Sequence, residues 1–417
     1  MIALDARPLQ NESAGRGVGR YIRSLISHLP EGDDEYLFLE SRWKRPGELP
    51  AGTAGTRVRL LRPPRAITLF DQLTTPLLCA VRGIDIFHST FYALPRFAPG
   101  RTRRVLTVHD LIPILLPGAA GRRNTAIFAA IYRSARVADA VIVPSLRTAR
   151  DLEERIGVRR DRIRVVPMGV APPFAASAAS GGGTTVPTSR HRASPAPQRD
   201  SGVAGRDGAG SPRHLASLSA CERLPAILDV RPPGGRILLY VGGFDPSKNV
   251  PFLFEALARV ADERVVLALA GDPGRRWEAL RAAAGRAGVE RRVARLGRLS
   301  EGDLAAAYRT ADLLVSASLY EGFGLPALEA MACGCPVVAL EAGTVPEVLE
   351  GAAISVREND PAVFASAIVR ALADEDARRS LITSGLKRAS ELTWERTARE
   401  TLAVYREVPQ GREGGRA

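Results

Sequence analysis

The sequence predicts a two-domain α/β protein, each domain a parallel sheet flanked by helices, with the two domains facing one another across a cleft. Three observations carry that prediction. Short β-rich apolar runs alternate with longer runs of helical period over most of the chain, an order that requires crossovers between parallel strands. At 417 residues, 45% of them hydrophobic, the chain has material for two cores, because single cores stop growing near about 250–300 residues. The alternation is also interrupted once, from Ala175 to about Ala220, and then resumes.

In the first part the strand candidates are Ile2–Ala6, Tyr36–Glu40, Val58–Leu61, Ile84–His88, Val105–His109, Ala140–Pro144 and Ile163–Pro167. Helix candidates at Val18–His28, Phe70–Val81, Arg122–Val137 and Leu146–Ile156 lie between several of them, giving a sheet covered on both faces. From Ala175 onward Ser, Gly, Ala, Pro, Thr and Arg dominate, as in Gly181-Gly182-Gly183-Thr184-Thr185. So little apolar surface cannot offset the entropy of ordering, so a flexible insertion without chemistry is expected there. Strand candidates resume at Ile237–Val241, Val265–Ala270, Val293–Leu296, Leu313–Ala317 and Pro336–Leu340, with helix candidates at Val250–Val260, Arg275–Ala287, Leu304–Arg309 and Pro326–Ala332. The expected division is therefore 1–170, a linker or insertion over 171–234, a second domain over 235–391, and a final segment over 392–417 that opens a helix at Trp394. Two doubly wound domains place their strand ends, and so their binding crevices, toward a shared cleft.

Composition narrows the function classes. Met1-Ile2-Ala3-Leu4-Asp5 reaches a charge at once with no long apolar run behind it, which argues against a secretory signal. The most apolar stretch, Val105 to Ala120, is broken by His109, Asp110 and two prolines and falls short of the ~20 residues that span a bilayer. Cys79, Cys221, Cys333 and Cys335 contain no Cys-x-x-Cys pair, so a reducing, cytoplasmic setting is expected, with Cys333 and Cys335 as small buried residues. The net charge is +13, and residues 1–170 hold 27 Lys and Arg against 16 Asp and Glu, so most of the excess is N-terminal. Such a field attracts phosphates or anionic lipid head groups, although a generally Arg-rich composition explains it equally well. Nucleic acid is not expected, because the Arg clusters (Arg101, Arg103, Arg104; Arg159, Arg160, Arg162, Arg164) lack interleaved aromatics.

Four segments carry candidate chemistry. Val315-Ser316-Ala317-Ser318 ends a strand, a glycine turn follows, and Pro326 stands where it can open a helix. The amides of Gly322, Phe323, Gly324 and Leu325 would then lie at a helix N-terminus that favours a phosphate. Glu329, one turn inside, can accept two hydrogen bonds from a vicinal diol such as a ribose, and Glu321 can accept from another hydroxyl; dipole complementation and solvation are the plain alternatives. Upstream, Tyr240-Val241-Gly242-Gly243-Phe244-Asp245-Pro246-Ser247-Lys248 is a strand leading to a Gly-rich turn and a cation suited to a departing diphosphate. In the first domain, Thr107-Val108-His109-Asp110-Leu111 ends a strand at the ligand-binding edge, where Asp110 can also simply cap the next turn. Near the start, Gly17 and Gly19 open a helix after the first strand; Arg20 there reads equally as a solvated helix residue.

The run from Glu321 to Val338, EGFGLPALEAMACGCPVV, with two glutamates separated by seven residues, resembles the signature of retaining glycosyltransferases of family 4. That resemblance implies the GT-B fold, two Rossmann-like domains facing a central cleft. It gives the ribose to Glu329, the donor sugar to Glu321 and His109, the diphosphate to Lys248 with Gly322, Phe323, Gly324 and Leu325, and the reacting phosphate and acceptor to the Gly17 and Gly19 loop. The family commonly has Arg where this chain has Gly243, so the expected two-cation clamp is reduced to Lys248. Phe87-His88-Ser89-Thr90, Val143-Pro144-Ser145, Val166-Pro167-Met168-Gly169 and Gly343-Thr344-Val345-Pro346-Glu347 extend the resemblance over nearly the whole chain outside the insertion. It further implies that the C-terminal segment crosses back onto the first domain, with Trp394 packing rather than reacting.

The expected activity is retaining transfer of a hexose from a nucleoside diphosphate sugar to a hydroxyl of a glycan or polyprenyl-diphosphate-linked glycan in surface polysaccharide synthesis, with no cofactor and no metal. The segments around His109 and Lys248 most resemble bacterial mannosyltransferases, which puts GDP-mannose first and UDP-glucose or another UDP-hexose second. The basic first domain would suit peripheral attachment to the inner face of the plasma membrane. A sugar-nucleotide epimerase of the same fold and a non-catalytic binding protein are the rival classes.

Overall fold

The computed structural model describes residues 1–15, 17–30, 35–42, 44–60, 67–116, 122–171, 173–174 and 230–408. The predicted insertion lies, over 175–229, outside the described residues. Ala171 and Phe174, which the sequence reading places in that insertion, are buried in the core.

The first sheet consists of β1 (Ile2–Asp5), β2 (Tyr36–Ser41), β3 (Thr56–Leu60), β4 (Ile86–Ser89), β5 (Arg103–Thr107), β6 (Ala140–Val143) and β7 (Ile163–Val165). All pairs are parallel and the order is β3-β2-β1-β4-β5-β6-β7. Ile2 is in register with both Tyr36 and Ile86, which makes β1 an interior strand. The helices of this half are α1 (Gly17–Ser27), α2 (Ile67–Arg82), α3 (Ile112–Leu115), α4 (Arg122–Ser134) and α5 (Leu146–Asp151). The predicted helix over 146–156 is an α-helix only to Asp151; it widens into a π-turn, Leu152–Ile156, and stops at Gly157 with φ 74°, a conformation glycine adopts without strain.

The second sheet consists of β8 (Arg236–Val241), β9 (Val265–Ala270), β10 (Val293–Gly297), β11 (Leu313–Ser316), β12 (Val337–Leu340) and β13 (Ile354–Val356), again all parallel, in the order β10-β9-β8-β11-β12-β13. Its helices are α6 (Val250–Ala258), α7 (Trp277–Arg286), α8 (Glu301–Thr310), α9 (Leu325–Ala332), α10 (Val345–Leu349), α11 (Pro361–Ala373) and α12 (Glu375–Glu391). Side chains alternate between faces with the period of the pleat: Leu238, Tyr240 and Leu267 pack under α6 and α11, whereas Ile237, Leu239 and Val266 pack under α8 and α9. The sequence reading did not name β13, α11 and α12. Helix α12 has little apolar periodicity to announce it and is capped instead by Asp374, whose side chain accepts from Ala377 N–H.

The last helix, α13 (Trp394–Glu407), returns to the first domain. Val170 N–H donates to Leu392 O at 3.0 Å and Thr397 Oγ1 donates to Pro167 O at 2.8 Å. A Cβ on Gly169 would stand 2.2 Å from the Thr393 carbonyl carbon, so the chains cross there only because residue 169 is glycine. Trp394 is fully buried, edge-on to Tyr21 with ring centroids 5.9 Å apart. Tyr405 hydroxyl lies 2.6 Å from His88 Nδ1, and His88 Nε2 lies 2.7 Å from Thr107 Oγ1.

In each sheet the order turns about one central strand, between β1 and β4 and between β8 and β11. The crevice outside the carboxyl ends of those strands is where doubly wound sheets bind ligands. In the second sheet these ends lead into the loops carrying Gly243, Lys248 and Glu321, and in the first into Asp5 and Thr90.

Candidate active site

Helix α9 begins at Leu325 with Gly324 before it in the left-handed conformation, φ 86°. Pro326 is thus its second residue rather than its first, and the glycine turn expected before the helix ends in Gly324. Gly322 is buried, and a Cβ there would meet His109 O at 2.2 Å and Asp110 Cβ at 2.8 Å. Its glycine character therefore comes from direct contact between the two domains. Gly343, at φ 59°, has the Glu321 backbone 2.7 Å from its missing Cβ and supports the same loop from behind.

Across the switch point, Asp245 caps the short turn Pro246–Lys248 by accepting from Ser247 N–H at 3.1 Å. Leu319 N–H donates to Ser247 O at 2.8 Å, locking the two loops together. The result brings together two predicted residues: Lys248 Nζ donates to Glu321 Oε1 at 2.8 Å, and Ser318 Oγ donates to the same oxygen at 2.6 Å. Burial pushes the Lys248 ammonium down, but Glu321, Asp245 and Asp110 outweigh burial and hold it above its ordinary value, so it is a firm cation. Asp110 caps Ile112 N–H at 2.9 Å, and burial above all raises its carboxyl.

His109 lies just beyond the end of β5 rather than inside it, half-buried and edge-on to Tyr21 with centroids 4.8 Å apart. Its Nε2 is 3.0 Å from Thr90 O; a carbonyl only accepts, so Nε2 carries the proton and Nδ1 is left as an acceptor. Burial lowers its pKa to about 4, with the Thr90 bond opposing, and the ring is neutral at pH 7.

Glu329 is buried and both of its oxygens are engaged. Arg20 Nη1 donates to Oε1 from the first domain and Tyr308 hydroxyl donates to Oε2 at 3.1 Å. Burial raises the Glu329 carboxyl and Arg20 counters it. Arg20, readable from sequence as a solvated residue, is thus a cross-domain partner; with the two 309 positions apart, no local pattern could have shown it. Tyr308 and Ser318 were missed as well, since each is one polar residue in an ordinary amphipathic setting.

Other predicted residues are less engaged. Gly243 is exposed, with Asp245 Oδ2 3.3 Å from its missing Cβ. Gly17 is exposed at the start of α1, whereas Gly19 is buried with Ala14 O 2.3 Å from its missing Cβ, so helix entry explains its glycine. Phe323 and Leu325 are buried in the core. The cleft is closed by further contacts: Glu347 accepts from Leu146 N–H at 2.7 Å at the start of α5, and Tyr320 hydroxyl donates to Asp151 at 2.5 Å.

Comparison with known proteins bears on both halves. Residues 15–172 match the family described as Glycosyltransferase Family 4, and residues 235–374 match Glycosyl transferases group 1. Escherichia coli O-antigen chain mannosyltransferase B is 32% identical over 191 residues, covering 45% of this chain and 50% of its own length. D-inositol 3-phosphate glycosyltransferase of Streptomyces bingchenggensis is 34% identical over 192 residues, covering 43% and 42%. The matches thus span about half the length of these curated relatives or less. Over 98% of both chains, the structure resembles sucrose-phosphate synthase from Thermosynechococcus elongatus with a TM-score of 0.70 at 23% identity, a likeness of fold.

Proposed function

Since the chain belongs to glycosyltransferase family 4 and has the GT-B fold, we propose that it transfers a hexose from a nucleoside diphosphate sugar to a hydroxyl of a glycan or lipid-linked glycan, with retention at the anomeric carbon. The observation that carries this reading is the convergence of Lys248 and Glu321 at the switch point of the second sheet, with Gly322 seated on the His109 carbonyl of the first. In the proposed step the acceptor oxygen bonds to the anomeric carbon on the face from which the bond to phosphate breaks. The acceptor proton passes to the departing phosphate. Lys248 and the amides at the start of α9 stabilise the charge on that phosphate, while Glu329 holds the ribose and Glu321 and the neutral His109 position the sugar.

Mannose from GDP-mannose is the favoured donor, supported by the E. coli mannosyltransferase relative; a UDP-hexose is the second reading, and the glycosyltransferase relative from Streptomyces keeps the acceptor class open. A thermal-shift panel of GDP- and UDP-sugars tests the donor: one bound at 100 times its Kd adds about 2.7 kcal/mol of stability. A sugar changing configuration without acceptor would replace transfer by epimerisation, and no stabilisation by any sugar nucleotide would refute the reading.

A lipid-linked acceptor is supported by the outer face of α2. Leu73, Leu77 and Val81, spaced four apart, are 65%, 64% and 74% exposed. Arg96 N–H donates to Gln72 Oε1 at 2.7 Å, which ties to this helix the segment carrying Phe97, itself 70% exposed. With exposed Arg82 and Arg96 beside it, the stripe has the make-up of a surface that lies on an anionic bilayer. Among the described residues no helix is long and apolar enough to cross a membrane. Sedimentation with phosphatidylglycerol vesicles should retain the protein at low salt and lose it for Leu77→Asp; equal recovery with phosphatidylcholine or at high salt would end this reading.

A further inference from the structure

Arg20 leaves the first turn of α1 and enters the second domain. Its guanidinium donates to Glu329 Oε1, lies 3.5 Å from a Glu301 carboxylate oxygen and sits 5.6 Å above the ring of buried Phe174. The Glu329 side chain is 2% exposed and that of Arg20 22%. The loop before it is held in place: Arg23 Nη1 donates to Ala14 O at 2.9 Å and Gly19 packs on the same carbonyl.

The groups facing Glu329 are few. Among the described residues Arg20 comes from α1, Tyr308 and Glu301 from α8, and Cys333 from just beyond the end of α9, with Arg309 of α8 acting on Cys333. Arg309 is occupied with Pro173 O at 2.8 Å, and Glu301 opposes ionisation. Arg20 is therefore the cation that opposes the rise burial imposes on this carboxyl. An ionised carboxylate offers about four acceptor positions; Arg20 and Tyr308 occupy two and leave two for the vicinal hydroxyls of a ribose. Without a cation, burial favours the neutral acid, which accepts more weakly and donates one proton of its own.

We propose that Arg20 is a positioning residue for the nucleotide ribose: reaching across the closed cleft, it keeps Glu329 ionised and aimed, so that one domain makes the other competent to hold the ribose diol. The inference rests on the donor site proposed above. It makes ribose recognition a property of the closed arrangement, because Glu329 loses its cation when the domains part.

Titration calorimetry of the full chain tests it, using UDP, GDP and their 2′-deoxy forms from pH 6 to 9 on wild type, Arg20→Met and Arg20→Lys. Wild type should prefer one ribonucleotide over its deoxy form by about tenfold, roughly 1.4 kcal/mol, with little dependence on pH. Arg20→Met, which keeps the stem over Phe174, should lose that preference at pH 6–7 and regain part of it toward pH 9 as Glu329 ionises without help; Arg20→Lys should keep most of it. A deoxy penalty unchanged in Arg20→Met, or ribonucleotide binding tighter than wild type, would overturn the proposal, the latter by showing that Arg20 competes with ribose. Wild type binding neither nucleotide would overturn the donor-site reading itself and this proposal with it.

Discussion

Replacing Lys248 by alanine removes the cation that three carboxylates, Glu321, Asp245 and Asp110, hold in place. Glu321 Oε1 would keep Ser318 at 2.6 Å but lose the ammonium at 2.8 Å. The side chains of Lys248 and Glu321 are 18% and 17% exposed, so water repairs little of the loss, and the fold should weaken by about 1–3 kcal/mol. The effect on rate is larger. A preorganised donor aimed at developing charge accounts for about 10²–10³ in kcat, and the family's usual second cation is replaced here by Gly243, so the loss should fall at the upper end. Lys248→Arg, which keeps the charge in a wider fork, should recover part of it. Initial rates of nucleotide release with GDP-mannose and UDP-glucose as donors, read beside a melting curve, separate the two effects. A kcat/KM for Lys248→Ala within threefold of wild type would refute the assignment of leaving-group stabilisation to this lysine.

Other substitutions probe the same architecture. Gly243→Arg should tighten diphosphate binding several-fold, about 1 kcal/mol, since the position is exposed and its φ is not positive; calorimetry with UDP and GDP would show no gain if the second cation is supplied elsewhere. Gly169→Ala places a Cβ 2.2 Å from the Thr393 carbonyl carbon and should lower stability by about 2–3 kcal/mol or more, read as a fall in Tm. His88, held down to about 3 by burial, is neutral in the fold but takes a proton when unfolded; stability present above pH 6.5 is therefore lost as pH falls from 6.5 toward 3, by up to about 1.4 kcal/mol per pH unit. His88→Asn should flatten that part of the Tm profile. Glu347→Ala, which removes the carboxylate that accepts from the first amide of α5 across the cleft and leaves the Ser145 cap, should raise the radius of gyration in solution scattering at a cost of about 1 kcal/mol.

The strand, glycine turn and helix around residues 313–332 were legible because each step has a local cause: an apolar run, a residue free to adopt φ 86° at Gly324, and a proline that cannot sit deeper in a helix. The Lys248–Glu321 pair was legible only as two separate loops, since the contact arises from β8 and β11 being neighbours in the sheet although β9 and β10 lie between them in the chain. Gly322 has a cause that no local pattern shows, because its missing Cβ makes room for the other domain. Arg20 was illegible for the same reason: an arginine on an amphipathic helix has a solvated explanation at hand until a partner 309 residues away is placed beside it.

Helix α13 has a consequence for how the chain is made. It completes the first domain from beyond the second: Thr397 closes on Pro167, 230 residues earlier in the chain, and Tyr405 supplies the partner of buried His88. Translation at about 5–20 residues per second leaves roughly 10–50 s during which the first sheet is outside the ribosome without that helix. For that interval, Tyr21 lacks the indole that later covers it and His88 must find water or another partner. The first sheet is thus born before the helix that completes it, and its final folding step waits until that helix has been made.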